Sequence, residues 1–554
     1  MQRVIVILPL LLLPLFGTAA QQPLLTDAVR GAMERVSVER LWHHASVLAS
    51  DDFEGRGTGS QGERTAAAYI SAAMQASGLE PLGDDGGYAQ YVPLHGSTPL
   101  PDSRLTLVTP TGKRELSLGQ DYLLYKTGAQ TFIPQPLPLI FVGYGIVAPE
   151  YDYNDYQHLD VRDAIVVFLS GEPESDDPRY FEGSQRSIYA IPEMKQRIAF
   201  TRGARGSIMI PLPRLGTGYD WEDWQRMFAS EDVTLPINVP SNLSVMLRLE
   251  LAAMLFDGAS SSLDDVLRMN ANQSMRSFPL DVSMSFSGSF RDRDFLSANI
   301  IGLLRGSDPL LQDSYVLCTA HYDHLGIGLP VEGDSIYNGL VDNALGTAAA
   351  MELAHVLADS ALRPKRSIVF VFLAAEEKGL LGSLYYTSHP AVPLYRTTAC
   401  LNIDGLAIID RFHDIVGIGT EYSTLSNLLE RLAGELGLRV SEVPPDFSLL
   451  DAFASSDQLA FAQAGVPSLL VMEGNDYANV PDQLGYNRFL EWGRTRYHTP
   501  FDDTLQPVDR DALTEHAQVL CAVLASLANT YEPPQWIQGS RYINARLQSQ
   551  AEER

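Results

Sequence analysis

Apolar residues recur along this chain in two rhythms, and the switch between them marks out its elements. "LWHHASVLAS" and "ERTAAAYISAAMQASGL" place an apolar residue every three or four positions, the period of a helix buried along one face. The second run stops at Gly78, a residue free to take the left-handed turn that ends a helix. The glycine-rich "DDFEGRGTGSQG" between them reads as a loop. Continuous apolar runs at "LPLIFVGYGIV" and "DAIVVFLSG" predict strands, and the segment 137–279 has a helix-to-strand passage of its own and a helical stretch from Leu249 to Met269. It reads as a small α/β unit set into a larger one. Beyond it "DVSMSFSGSF" alternates with period two, while "SYVLCTA", "SIVFVFLAA" and "TTACLNIDGLAI" are continuous apolar runs separated by helical patterns, among them Asn343 to Leu362 and the stretch after Gly379. Strands buried on both faces and separated by helices predict an α/β fold with a mixed, mainly parallel central sheet flanked by helices.

Length and composition refine this. A chain of 554 residues exceeds one ordinary core, in keeping with a main domain in two pieces, 21–136 and 280–531, around the insert 137–279. A polar tail, 532–554, is expected to be loosely held. Residues 1–20 combine Arg3, an apolar run from Val4 to Phe16 and small residues at Thr18 and Ala20, the pattern of an export signal cleaved near Ala20. The run is short for a membrane span and contains prolines, so the mature chain is expected to be secreted or periplasmic without stable membrane insertion. A net charge of -28 argues against nucleic acid as a partner, because binding phosphates needs a basic patch. Three cysteines in apolar contexts predict buried thiols rather than a disulfide framework.

Unusual residues collect where the predicted strands end. "AHYDHLG" places His321 and Asp323 after one run, "GLVDNALG" places Asp342 before a helix, and "AAEEKG" places Glu376 and Glu377 after another run; "NIDG" adds Asp404 and "RYHTPFDD" adds His498. The carboxyl ends of strands in an open α/β sheet form a ligand crevice, so these residues can converge. Two histidines and several carboxylates there suggest metal. A catalytic zinc keeps three protein ligands and an open position, so five residues with one bridging carboxylate serve two zinc ions: His321, Asp342, Glu377, Asp404 and His498. Glu376, left outside that set but beside it, suits the general acid/base role. On an extended segment Asp323 faces the same way as His321 and is expected to accept its free ring N–H; Asp502 is expected to do the same for His498. His324 reads as pocket wall, and His43, His44, His355 and His389 read as structural.

In these motifs the chain resembles the co-catalytic di-zinc metallopeptidases, a group that includes leucyl aminopeptidases, glutamate carboxypeptidase and the transferrin receptor ectodomain. "HYDH", "NGLVDNALG", "AAEEKGLLGS", "NIDG" and "YHTPFDD" stand in the family's order, and "ASDDFEGRGTGSQGER" is similar to its N-terminal segment. The resemblance implies a zinc exopeptidase fold, Asp342 as the bridging ligand, Glu377 and His498 completing one zinc, His321 and Asp404 the other, and Glu376 as base. It also implies a cis peptide at Asp342–Asn343 and a protease-associated identity for the insert. Two departures stand out: "SDQ" at 456–458 where the family often has "SDH", and Val341 where an acidic residue is common. The expected function is an exported aminopeptidase acting on peptides. The alternatives are a carboxypeptidase or dipeptidase of the same chemistry, a glutaminyl cyclase, which complete ligands for two zincs disfavour, and a non-catalytic binding protein, which should have lost ligands.

Overall fold

The computed structural model describes residues 23–551 except 127–131, 178, 182, 184–186, 213–220, 237–242, 360 and 445–448. The leader expected at 1–20 lies outside the described residues. The larger of two main sheets has ten strands. Nine of them, in chain order, are β1 (Ala89–Pro99), β2 (Asp232–Thr234), β3 (Phe290–Leu304), β4 (Tyr315–His321), β5 (Ser367–Leu373), β6 (Thr397–Asn402), β7 (Asp414–Ile418), β8 (Arg439–Ser441) and β9 (Ser468–Glu473). They lie side by side as β2-β1-β3-β5-β4-β6-β9-β7-β8, and Glu80–Pro81 pairs with β3. The centre, β5-β4-β6-β9, is parallel. The flanking pairs β1–β3, β3–β5 and β9–β7 are antiparallel.

The parallel centre follows from its composition. Every residue of β5 is buried, and alternate side chains enter different cores. Ile368, Phe370 and Phe372 pack with residues of the helices α1 (Val38–Leu48), α2 (Gln61–Ala76), α3 (Leu345–Leu357) and α5 (Arg510–Asn529). Val369, Val371 and Leu373 pack with Tyr386, from α4 (Leu381–Ser388), and Phe461 on the other face. Burying each large apolar side chain contributes about 1.5–3 kcal/mol. α2 starts on Ser60, whose side chain accepts from the Glu63 N–H, and ends at Gly78 as the pattern predicts, at φ +74°, with Leu79 N–H donating to the Met74 carbonyl at 3.2 Å. α3 starts later than expected because Asp342 and Asn343 have non-helical backbones. The stretch Leu249–Met269, expected as one helix, is broken: a 3-10 segment Leu249–Phe256 is separated from a helix Leu263–Ala271 by Gly258, at φ +77°, and by a fresh start capped at Ser262.

The second sheet has eight strands and runs from Arg104–Thr109 to Phe278–Ser287, past the 137–279 segment on both sides. Its early strand Gly112–Ser117 buries only Leu116 and so gives little apolar signal. This sheet has its own core, including Leu107, Phe141, Val167, Ile208, Val245 and Met284. The tail after Pro534 is not loosely held. Tyr542 is buried, Trp536 Nε1 donates to the Gly465 carbonyl at 3.0 Å, and the Arg546 guanidinium donates to the carbonyls of Leu394 and Thr397 at 3.0 Å. Two aromatic anchors in a polar stretch are enough to dock it. The three cysteines are buried and free, and no helix among the described residues is long and apolar enough to cross a membrane.

Candidate metal centre

The parallel strands deliver the predicted residues to one edge of the sheet. His321 ends β4, Glu376 and Glu377 follow β5 through a turn at Ala375 (φ +54°), and Asp404 follows β6. Asp342 lies in the turn before α3, where the Asp342–Asn343 peptide is cis, as the resemblance implies. Asn343 ties that turn to the Asp404 loop: its Nδ2 donates to the Ile403 carbonyl and its Oδ1 accepts the Gly405 N–H, both at 2.9 Å. His498 arrives from the loop after the helix Asp482–Thr495.

All five predicted ligands meet. Asp342 Oδ1 lies 3.2 Å from His321 Nε2, and Asp342 Oδ2 lies 3.1 Å from His498 Nε2. His321 Nε2 is also 3.1 Å from Asp404 Oδ1, and His498 Nε2 is 3.3 Å from Glu377 Oε2. Each imidazole nitrogen thus faces oxygens of two carboxylates, and one ring proton cannot serve both. His321 Nδ1 lies 3.2 Å from the Asp323 main-chain carbonyl, which accepts only if Nδ1 carries the proton. In the neutral ring Nε2 is then a lone pair that cannot donate to a carboxylate at all. A cation resolves this. Zinc held at about 2.0–2.1 Å in a tetrahedron sets neighbouring ligand atoms roughly 3.3 Å apart, close to the spacings found here. The donor set therefore fits two divalent ions sharing Asp342.

The surrounding residues differ in part from expectation. Asp323 stands beside His321, but its main-chain oxygen is the nearer acceptor; the carboxylate is 3.9 Å away and instead accepts the Glu376 N–H and the Thr58 hydroxyl, each at 3.0 Å. Asp502 turns from His498 to the Asp342 turn, accepting the Val341 and Asp342 N–H groups at 3.0 and 3.1 Å. The His498 ring stacks on Tyr497, 3.8 Å between centroids. His324, read as pocket wall, contacts a proposed ligand: its Nδ1 lies 2.6 Å from Glu377 Oε1. Sequence reasoning missed Arg56. Fully buried, it donates to the carbonyls of Leu48, Tyr322, Asn338 and Gly339 at 2.6–2.8 Å beneath the site, and burial lowers it to about 10 against the opposing pull of Asp342, Asp502, Asp323 and Glu377. A lone cation in an acidic, glycine-rich loop was the available signal. Asp457, beside Gln458 in "SDQ", carries no motif signal of its own. It is fully buried, and desolvation, opposed by His321, pushes its carboxyl up to about 7.

Electrostatics separates the paired glutamates. Burial pushes Glu376 well above the usual carboxyl range, with His321 opposing and Glu377 reinforcing. Burial acts on Glu377 too, but His498 and His324 outweigh it and hold the group well below that range. One glutamate is held as an anion among histidines, and its neighbour has the higher proton affinity, which suits a general base.

A mixed α/β sheet with two histidines and three carboxylates, Asp342 shared between them, at its strand ends has the donor set of a paired metal centre. More particularly, residues 299–524, the part of the chain that carries the site, match the model of peptidase family M28. Among curated proteins the chain is similar to leupeptin-inactivating enzyme 1 of Streptomyces exfoliatus, 26% identical over 43% of this chain and 50% of that protein. It is also similar to aminopeptidase YwaD of Bacillus subtilis, 25% identical over 44% of this chain and 47% of that one. The match thus spans about half the length of these curated relatives. An aminopeptidase from Aneurinibacillus sp. strain AM-1 shares the fold over 92% of this chain and 99% of its own, with a TM-score of 0.55 at 18% identity.

Proposed function

We propose that the protein is an exported, zinc-dependent aminopeptidase that removes residues one at a time from the N-terminus of peptides. The observation that carries this reading is Asp342, whose two oxygens face different histidines at 3.2 and 3.1 Å. His321 and Asp404 on one side, and His498 and Glu377 on the other, would hold one zinc each, with Asp342 common to both. When bound, the ions supply Lewis acidity toward the scissile carbonyl and lower the pKa of the attacking water. Glu376 accepts the proton of that water at its carboxylate and returns it to the departing amine. Asp323 fixes the start of the glutamate turn through the Glu376 N–H, and Asp502 fixes the Asp342 turn.

Two further observations favour N-terminal over C-terminal polarity. A curated relative is named an aminopeptidase. Arg494 and Arg496, near His498, are turned to the carbonyls of Leu490 and Phe501 at 3.3 and 2.9 Å instead of toward a substrate carboxylate. The separate eight-stranded sheet supports an inserted unit of protease-associated type between the two peptidase pieces, and the run Val4–Phe16 supports export. The test uses peptides with free and with acetylated N-termini, alongside metal analysis. Cleavage of the free peptides only, about two zincs per chain and loss of activity on chelation are expected. Release from the C-terminus, or indifference to acetylation, refutes the aminopeptidase reading; full activity with at most one ion refutes the paired centre.

A further inference from the structure

The smaller sheet does not stay apart from the larger one. Between its adjacent strands Gly206–Ile210 and Leu243–Leu247 the chain leaves it and reaches the edge of the site-bearing sheet, where Asp232–Thr234 forms β2. β2 pairs antiparallel with β1, Val233 opposite Gly96. Gly96 leaves room for the Glu231 carboxyl, which a Cβ on residue 96 would approach to 2.5 Å and which receives the Arg293 guanidinium with Nε at 2.8 Å. Val233 and Leu235 are buried, and their cluster includes Ala375 and Leu381, the two ends of the turn that carries Glu376 and Glu377. Lys378, the residue after the pair, extends its ammonium to the Ser230 hydroxyl at 2.8 Å.

The turn itself has few ties of its own. Leu381 N–H donates back to the Ala375 carbonyl at 3.0 Å, and Gly379 and Leu380 N–H donate to the Glu376 carbonyl at 2.8 and 2.9 Å. These bonds hold the turn to itself. Glu377 reaches His324 and His498 through its side chain, but the Glu376 side of the turn is tied through its N–H to Asp323, and the Lys378 side is tied to the 230–235 segment. A short polar turn with a left-handed residue at Ala375 has no reason to keep one orientation unless neighbours impose it. We propose that the 230–235 segment of the smaller unit is a brace for the glutamate turn, and that Lys378 is a positioning residue that sets Glu376 through Ser230. This rests on the proposed role of Glu376. The smaller unit thereby takes part in catalysis without touching substrate. A displacement of a catalytic group by about 1 Å can cost on the order of 100-fold, and loss of this single tether is expected to shift the turn by less than that.

The test compares Lys378→Met, which keeps the stem and removes the ammonium, with Ser230→Ala, Lys378→Arg and the Lys378→Met/Ser230→Ala double variant, with Glu376→Gln as reference. Lys378→Met and Ser230→Ala should each lower kcat roughly tenfold with KM within about twofold and zinc content unchanged. The double variant should be no worse than the poorer single one, and Lys378→Arg should recover part of the loss. In metal-free protein, amide exchange across Ala375–Leu381 should speed up in Lys378→Met, a readout independent of turnover. Full kcat in Lys378→Met, additive losses in the double variant, or unchanged amide exchange would each overturn the brace. If Glu376→Gln keeps full activity, the catalytic assignment fails instead, and the two failures are told apart by which variant retains turnover.

Discussion

Arg56 offers the most quantitative check on how this site is supported. Its guanidinium is fully buried, and its four hydrogen bonds end on main-chain carbonyls from three parts of the chain: the end of α1, the residue after β4, and Asn338 and Gly339 ahead of the Asp342 turn. Arg56→Met fills much of the same volume with no donor. Each buried carbonyl left without a partner costs about 1–3 kcal/mol, so the low end at all four gives about 4 kcal/mol. Arg56→Lys restores at most three donors on a point charge and should recover only part. The assay is thermal unfolding of metal-free protein, because bound metal stabilises the folded form and would mask the loss. For a unit of this size the midpoint of Arg56→Met should fall by at least roughly 5 °C. At neutral pH the wild-type group remains charged even with its pKa lowered to about 10. A midpoint within about 1 °C of wild type would show that these carbonyls find other partners, and would refute the view of Arg56 as the clamp beneath the centre.

Two other outcomes follow from the geometry. Glu376→Gln should keep both zincs and lose turnover by about 100-fold to 10,000-fold, whereas Glu377→Gln should also lose metal from the His498 side; equal metal loss with equal activity in the two refutes the division of roles. Glu63 is buried, its carboxyl raised to about 8 by desolvation, with Oε2 accepting the Gly59 N–H at 2.7 Å. A carboxyl that holds its proton more tightly when folded contributes stability that is full below its ordinary value of 4.5 and is lost as pH rises toward about 8. Glu63→Gln should flatten the fall in stability across that window, measured as melting midpoint against pH, and an unchanged slope would refute the assignment.

The convergence of the candidate ligands was legible in part because three of them are polar residues at the ends of apolar runs, and parallel strands carry such ends to one place. His321, Glu377 and Asp404 needed only that rule. The partners of those ligands were not legible. Asp323 and Asp502 were placed near their histidines by spacing, yet their carboxylates serve main-chain N–H groups, because a turn that holds a ligand has donors to satisfy and sequence spacing carries no record of them. Arg56 escaped for a similar reason: main-chain carbonyls are the same at every position, so a side chain that binds four of them leaves no pairing signal. The parallel core was readable from apolar runs such as β5, whereas a strand with a wet face, such as Gly112–Ser117 with only Leu116 buried, carries too little apolar signal to be read.

β1 and β3 pair along their whole common length, and at the far end Pro99 lies opposite Phe290. Apart from the short strand β2, the chain therefore leaves the larger sheet and comes back to it at adjacent points, like a loop of rope gathered at one knot. Nearly everything between those residues could be exchanged for a tight hairpin without changing the register of any central strand. A chain so arranged is permissive to grafting: a peptidase sheet could acquire, shed or trade its smaller companion by one cut at this junction. The graft would leave an imprint, since only a companion that also supplies β2 would cover the outer edge of β1, a row of backbone groups otherwise open to pairing with another chain.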